Sequence, residues 1–163
     1  MRFSGHKKGK VIFSIACLTA IMYAAASSEA LAQSQPTKYI VARGNYPAIC
    51  ADAGTRLHVV YEAYEKDRKV SDIFYTVSND HGQHWSVAKN ISKTPAISQH
   101  AAIAVERNGA VDVVWTDSSD VEQSPDIFFV RSVDGGESWT RPTNISSTPG
   151  VSANPALAIG KDN

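Results

Sequence analysis

Apolar residues along this chain fall in short alternating runs, and no stretch keeps the spacing of an amphipathic helix. In Val111-Asp112-Val113-Val114-Trp115 the alternation puts Val111, Val113 and Trp115 on one face and Asp112 on the other, which predicts a strand. Three further runs of the same kind surround it, and polar turns such as Asp52-Ala53-Gly54 and Arg107-Asn108-Gly109 separate them. His58 matches Asp112 on the polar face of the corresponding strand, which predicts exposure for both.

The runs recur at a shift of 54 residues. Pro47-Ala48-Ile49-Cys50-Ala51 returns as Ala101-Ala102-Ile103-Ala104-Val105 and again as Pro155-Ala156-Leu157-Ala158-Ile159. Leu57-His58-Val59-Val60-Tyr61 returns as Val111 to Trp115, Ser71-Asp72-Ile73-Phe74-Tyr75 as Pro125-Asp126-Ile127-Phe128-Phe129, and Asn90-Ile91-Ser92 as Asn144-Ile145-Ser146. The two Asn-Ile-Ser segments fit a glycosylation sequon, but they recur with the repeat, so they read as structural. The sharpest repeat is Ser78-Asn79-Asp80-His81-Gly82-Gln83-His84-Trp85 against Ser132-Val133-Asp134-Gly135-Gly136-Glu137-Ser138-Trp139, both S-x-D-x-G-x-x-W. Here Gly supplies a positive φ, Asp and Ser bond within their own turn, and Trp covers it with apolar surface.

Four short strands repeated at about 50 residues are the signature of a β-propeller blade. The expected fold is therefore all-β, a propeller of four-stranded blades with a 54-residue repeat. Blade 1 spans about 46–99, blade 2 about 100–153, and 154–163 begins a third, so about 2.4 repeats are present. Two bare outer faces, each with about three large apolar side chains, leave roughly 10–18 kcal/mol of burial unrealised. That rivals the ~5–15 kcal/mol stability of a whole domain. The expectation is further blades in a longer protein, or assembly with other copies.

Residues 1–32 read as an export signal. Arg2, Lys7, Lys8 and Lys10 are basic, Val11 to Ala26 is uncharged and apolar, and Ala30-Leu31-Ala32 predicts cleavage before Gln33. The apolar run is short for a membrane span, which needs ~20 residues. The expected location is secreted or periplasmic, with 33–45 as an N-terminal lead containing the β-prone Tyr39-Ile40-Val41. Removing the leader turns 16 basic and 16 acidic residues into 12 and 15, which leaves no basic footprint for nucleic acid. Only Cys50 then remains, at a position equivalent to Ala104 and Ala158, so it reads as a small buried strand residue.

The two eight-residue turns, in register with the 54-residue repeat, resemble the Asp-boxes (BNR repeats) of sialidase-like β-propellers. Ser78, Asp80, Gly82, Trp85, Ser132, Asp134, Gly136 and Trp139 match the motif. The resemblance implies that these turns join the third and fourth strands of each blade at the periphery. The functional rim would then be built by residues 62–71, residues 116–125 and the Ser-x-Thr-Pro segments. In that family an Arg two residues before the first strand and another after the second belong to a clamp on the substrate carboxylate, where a planar guanidinium binds bidentately. The matching positions here are Asn45, with Arg43 nearby, and Tyr64 in Glu62-Ala63-Tyr64-Glu65. Asp67 is the one residue placed to match the general acid.

Arg43, Glu62, Tyr64 and His100 are the ligand-contact candidates, and Asp67 is a weak catalytic one. The rim acids Glu62, Glu65, Asp67 and Asp117, Asp120, Glu122 suggest a carboxylate pair, a calcium site or solvated loops. The last fits best, because neither group has an alternating calcium-loop pattern. His81 and His84 read as exposed turn positions rather than a metal pair, and no cofactor or metal is expected. Two readings follow: a non-catalytic binding or scaffold module for glycans or envelope partners, or the N-terminal part of an exo-sialidase or other glycoside hydrolase completed by other blades.

Overall fold

A computed structural model describes residues 10–13, 39–64, 70–118 and 124–160. All of the regular structure in them is β. β1 (Lys10–Phe13) and β2 (Tyr39–Arg43) form an antiparallel ribbon, with Lys10 opposite Arg43 and Phe13 opposite Tyr39. β1 falls inside the segment expected to be the leader, and β2 is the β-prone run. The first four-stranded sheet runs β3 (Asn45–Ala51), β4 (Leu57–Tyr64), β5 (Ser71–Ser78), β6 (Lys89–Asn90). The second runs β7 (Ile97–Val105), β8 (Val111–Ser118), β9 (Asp126–Ser132), β10 (Thr143–Asn144). Both are antiparallel meanders whose strands neighbour each other in chain order.

Each of the four short runs per repeat becomes one strand, the fourth being only two residues long. The registers correspond as well: Val60 pairs with Tyr75 in the first sheet as Val114 pairs with Phe129 in the second. Left-handed backbone recurs at matching places, at Tyr46, His100 and Asn154, at Thr55 and Gly109, at His81 and Gly135, and at Lys93 and Ser147. Tyr46 and His100 each sit where the first strand's register slips, between Asn45 and Ala48 and between Gln99 and Ala102. A bulge of this kind re-aims a side chain at the end of a sheet. Residues 151–160 form no strand; Ser152 N–H bonds Pro125 O at 2.8 Å and Asn154 N–H bonds Thr116 Oγ1 at 3.0 Å.

The core lies between the two sheets, where β7 crosses β3, β4 and β5. Val60, Ile73, Tyr75, Val77 and Ile91 of the first half meet Val111, Val113, Trp115 and Val130 of the second. Trp115 is fully buried and stacks on Phe128, as Tyr61 stacks on Phe74. The β-branched residues suit this pleated surface between the sheets.

The prediction of exposed polar faces is corrected here. His58 is completely buried, on the face with Val60 that meets the second sheet, and Asp112 is nearly so, beside Arg131 and Glu106. Each polar group instead has a partner. Asp112 lies 3.5 Å from Arg131, which also pairs with Glu106, and burial raises the Asp112 pKa. His58 Nδ1 lies 2.7 Å from the Tyr75 hydroxyl. Cys50 is half-buried rather than fully buried, and desolvation pushes its thiol up to about 12.

Candidate functional site

β4 and β5 each span eight residues, so their two ends lie roughly 23 Å apart at strand rise. One end of β5, at Ser78, enters the first Ser-x-Asp-x-Gly-x-x-Trp turn, and the other, at Ser71, lines a pocket of about 470 Å³. Asn45, Tyr46, Glu62, Tyr64 and Gln99 complete its walls. Four strands thus contribute: β3 brings Asn45 and Tyr46, β4 brings Glu62 and Tyr64, β5 brings Ser71 and β7 brings Gln99.

Two tyrosines flank the opening. Tyr46 is 63% exposed and Tyr64 60% exposed. Tyr46 holds φ 45, a left-handed conformation uncommon outside glycine, and its ring meets that of His100 edge-on at 5.0 Å. His100 thus stands beside the pocket, against one of its lining residues. Its N–H donates to Glu62 Oε1 at 2.5 Å, which ties the second sheet to the first. Asn154 N–H makes the same bond to Thr116, the residue 54 positions beyond Glu62. Glu62 thus serves as an inter-sheet link at the pocket wall, and burial raises its pKa.

The two positions at which the resemblance calls for clamp arginines, 45 and 64, do meet at this pocket, carrying Asn and Tyr. Arg43 is exposed at the end of β2, off the lining. Asp67, Glu65, Asp120 and Glu122 lie outside the described residues. Asp117 is no solvated rim acid. It is 1% exposed, and its Oδ2 accepts bonds from Thr94 Oγ1 (2.8 Å), Ser98 Oγ (2.9 Å) and Trp115 Nε1 (3.0 Å). Among the described residues no group of three or more His, Cys, Asp or Glu could hold a metal ion. Among the described residues the lining contains one carboxylate, Glu62, whereas hydrolysis of a glycosidic bond ordinarily needs two. The arrangement can bind a polyhydroxylated molecule, with ring faces from the tyrosines and hydrogen bonds from Asn45 and Gln99.

At the opposite end the two turns close the third and fourth strands. In the first, Ser78 Oγ donates to Asp80 Oδ1 (2.8 Å) and accepts Gly82 N–H (2.8 Å), while Asp80 Oδ1 accepts His84 N–H (2.8 Å). The second repeats this through Ser132, Asp134, Gly136 and Ser138 at 2.7, 2.7 and 2.9 Å. Trp85 and Trp139 each donate their indole N–H to the turn glycine's carbonyl, at 3.1 and 3.2 Å. These bonds to the ionised form hold Asp80 and Asp134 far below the usual carboxylate range. His84 and Ser138 occupy one role, each side chain bonding the far oxygen of its Asp. The Asn-Ile-Ser segments are likewise structural: Ser92 Oγ accepts Ile73 N–H and donates to Asp72, as Ser146 does with Ile127 and Asp126.

No family model and no curated protein matches the chain. Solved structures do. The Hadza microbial sialidase Hz136 superposes with a TM-score of 0.52 at 19% identity, over 64% of this chain and 27% of the sialidase. A mutant of NanB sialidase from Streptococcus pneumoniae gives a TM-score of 0.41 at 20% identity, over 61% of this chain and 13% of that one. The fold is sialidase-like, and the chain spans about a quarter of the length of the first of these proteins. No helix among the described residues is long and apolar enough to cross a membrane.

Proposed function

We propose that this chain is an exported, sialidase-like propeller segment carrying Asp-box turns, and that it binds glycans at the rim pocket without hydrolysing them. The observation that carries this reading is the pair of exposed tyrosines, Tyr46 and Tyr64, flanking the polar side chains of Asn45, Ser71 and Gln99. A sugar ring offers a C–H face to an aromatic and hydroxyls to amides. Among the described residues the lining offers amides, a hydroxyl and tyrosine rings, which suit a neutral sugar. Titration calorimetry with a panel of neutral oligosaccharides tests this. Tyr64→Ala is expected to weaken the best binder about tenfold, the scale of a lost anchor residue. Equal affinity in that variant would remove the assignment.

Export follows from residues 1–32: β1 leaves with the leader, and β2 remains as the lead into the first sheet. The intact mass of the exported protein is expected to start at Gln33. Further blades, or other copies, cover the two outer sheet faces. A second reading, a portion of a longer glycoside hydrolase, is favoured by Glu62, a pocket carboxyl whose pKa burial raises. Release of a fluorogenic aglycone from a sialoside, abolished in Glu62→Gln, would select it.

A further inference from the structure

A second cavity, of about 530 Å³, lies at the other end of the strands, between β6 and the second turn. Its volume falls within the ~300–1,000 Å³ of small-molecule sites. Three cations line it, Lys89, Lys93 and Arg141, against one carboxylate, Glu137. Lys89 is committed to the fold: its ammonium bonds Gly136 O and Glu137 O at 3.0 Å each and Glu137 Oε2 at 2.9 Å, bridging the two sheets and neutralising that carboxylate. Among the described residues neither Lys93 nor Arg141 has an ion-pair partner, and both are exposed. Trp139 forms the apolar wall with Pro142, its ring fixed by the indole bond to Gly136 O and by an edge contact with Tyr75 at 4.9 Å.

The two cations outside the Lys89 bridge do not belong to the repeat: Lys93 maps onto Ser147 and Arg141 back onto Val87. The whole chain is electrically balanced, with 16 basic and 16 acidic residues, so positive charge gathered in one groove is a local feature rather than a general one. Two unpaired cations beside a fixed aromatic wall suit a ligand with carboxylates spaced along a chain of rings.

We propose that this groove binds an acidic oligosaccharide, with its carboxylates on Lys93 and Arg141 and a sugar face against Trp139. The site is separate from the rim pocket and does not depend on that reading. The probe is trigalacturonate, titrated into the full chain by calorimetry, with maltotriose as the neutral control and hexaglutamate as a non-sugar polyanion. Trigalacturonate is expected to bind more weakly as salt rises from roughly 20 to 200 mM, because exposed charges are screened. The Lys93→Asn/Arg141→Gln variant is expected to lose about tenfold or more in affinity, since each cation supplies a charge-assisted bond. Asn tolerates the left-handed backbone at position 93 (φ 49), and Lys89 is left intact, so near-ultraviolet circular dichroism should be unchanged. Tyr64→Ala, at the rim, should bind trigalacturonate as wild type does. In a charge-keeping Lys93→Arg/Arg141→Lys variant, binding should persist. No binding of trigalacturonate overturns the proposal, as does equal binding of maltotriose or hexaglutamate, or unchanged affinity in the Asn/Gln variant.

Discussion

In the first turn the two left-handed residues are His81 and Gly82; in the second they are Gly135 and Gly136. The internal hydrogen bonds match almost one for one, yet the surroundings do not. His81 is exposed, whereas a Cβ on Gly135 would lie 2.6 Å from the Arg56 guanidinium, and one on Gly136 would collide with the Tyr75 hydroxyl. Tyr75 donates to Gly135 O at 3.1 Å, and Lys89 reaches Gly136 O and Glu137 O from the same neighbouring sheet. The second turn therefore closes its own hairpin and also latches one sheet to the next. One eight-residue motif serves two purposes, and the sheet beside it sets the second.

The latch should be the most sensitive point. Gly136→Ala combines a φ of +98 with the collision at Tyr75, and is expected to cost about 3 kcal/mol in urea unfolding. If its unfolding midpoint matched wild type, the packing of turn against sheet would be wrong. Tyr75→Phe keeps the ring and removes the inter-sheet bond, at an expected cost of about 1–2 kcal/mol. The second sheet already has Phe at this place, so Phe129→Tyr should bring no comparable gain.

Tyr75 also fixes a pH dependence. Its hydroxyl donates to Gly135 O, which leaves its oxygen to accept from His58 Nδ1 and leaves His58 Nε2 without a hydrogen bond, 3.7 Å from Asp52. Burial, aided by Arg56, lowers the His58 pKa below its ordinary 6.5. Below pH 6.5 the unfolded chain takes up a proton that the folded chain resists, so this contribution is full above that pH and lost as pH falls through it. Urea midpoints between about pH 7.5 and 5.5 should decline in wild type and flatten in His58→Asn. A wild-type decline that survives in the variant would place the titration elsewhere.

Asp80 and Asp134 act further into acid. Their depressed pKa values mean stability present above the ordinary carboxylate range and lost as pH falls toward the folded values. Asp134→Asn should weaken this acid limb more than Asp80→Asn, because loosening the second turn also loosens the latch. Acid titrations followed by circular dichroism would show equal effects if the turns act independently. The smallest effect should come from His81→Gly, which relieves a left-handed residue (φ 59) and is expected to stabilise by about 0.5 kcal/mol after the added chain entropy of glycine.

The eight strands of the two sheets and both turns were legible because alternation and turn chemistry are local, whereas the run Pro155 to Ile159, read as a third first strand, forms none. Burial of His58 and Asp112 was not legible, since alternation reports two faces of a strand and not what covers each. The rim pocket was half legible: Asn45 and Tyr64 stood out as departures from a pattern, and Glu62 as an acid. Tyr46, Ser71 and Gln99 carried no such mark, because they meet only when bulges in β3 and β7 turn them to one place. The latch was hidden for a similar reason. Tyr75 matches an ordinary Phe in the next repeat, and only the packed neighbour gives its hydroxyl a role.

Neutral-sugar recognition is proposed at the rim, roughly 23 Å from the turns that hold the sheets. Chemical-shift mapping of the labelled protein, titrated with the best neutral oligosaccharide, tests that division directly. Perturbed amides should cluster at Asn45, Tyr46, Tyr64 and Gln99, with the indole signals of Trp85 and Trp139 unmoved. Shifts centred on the two indoles, with the rim silent, would contradict it.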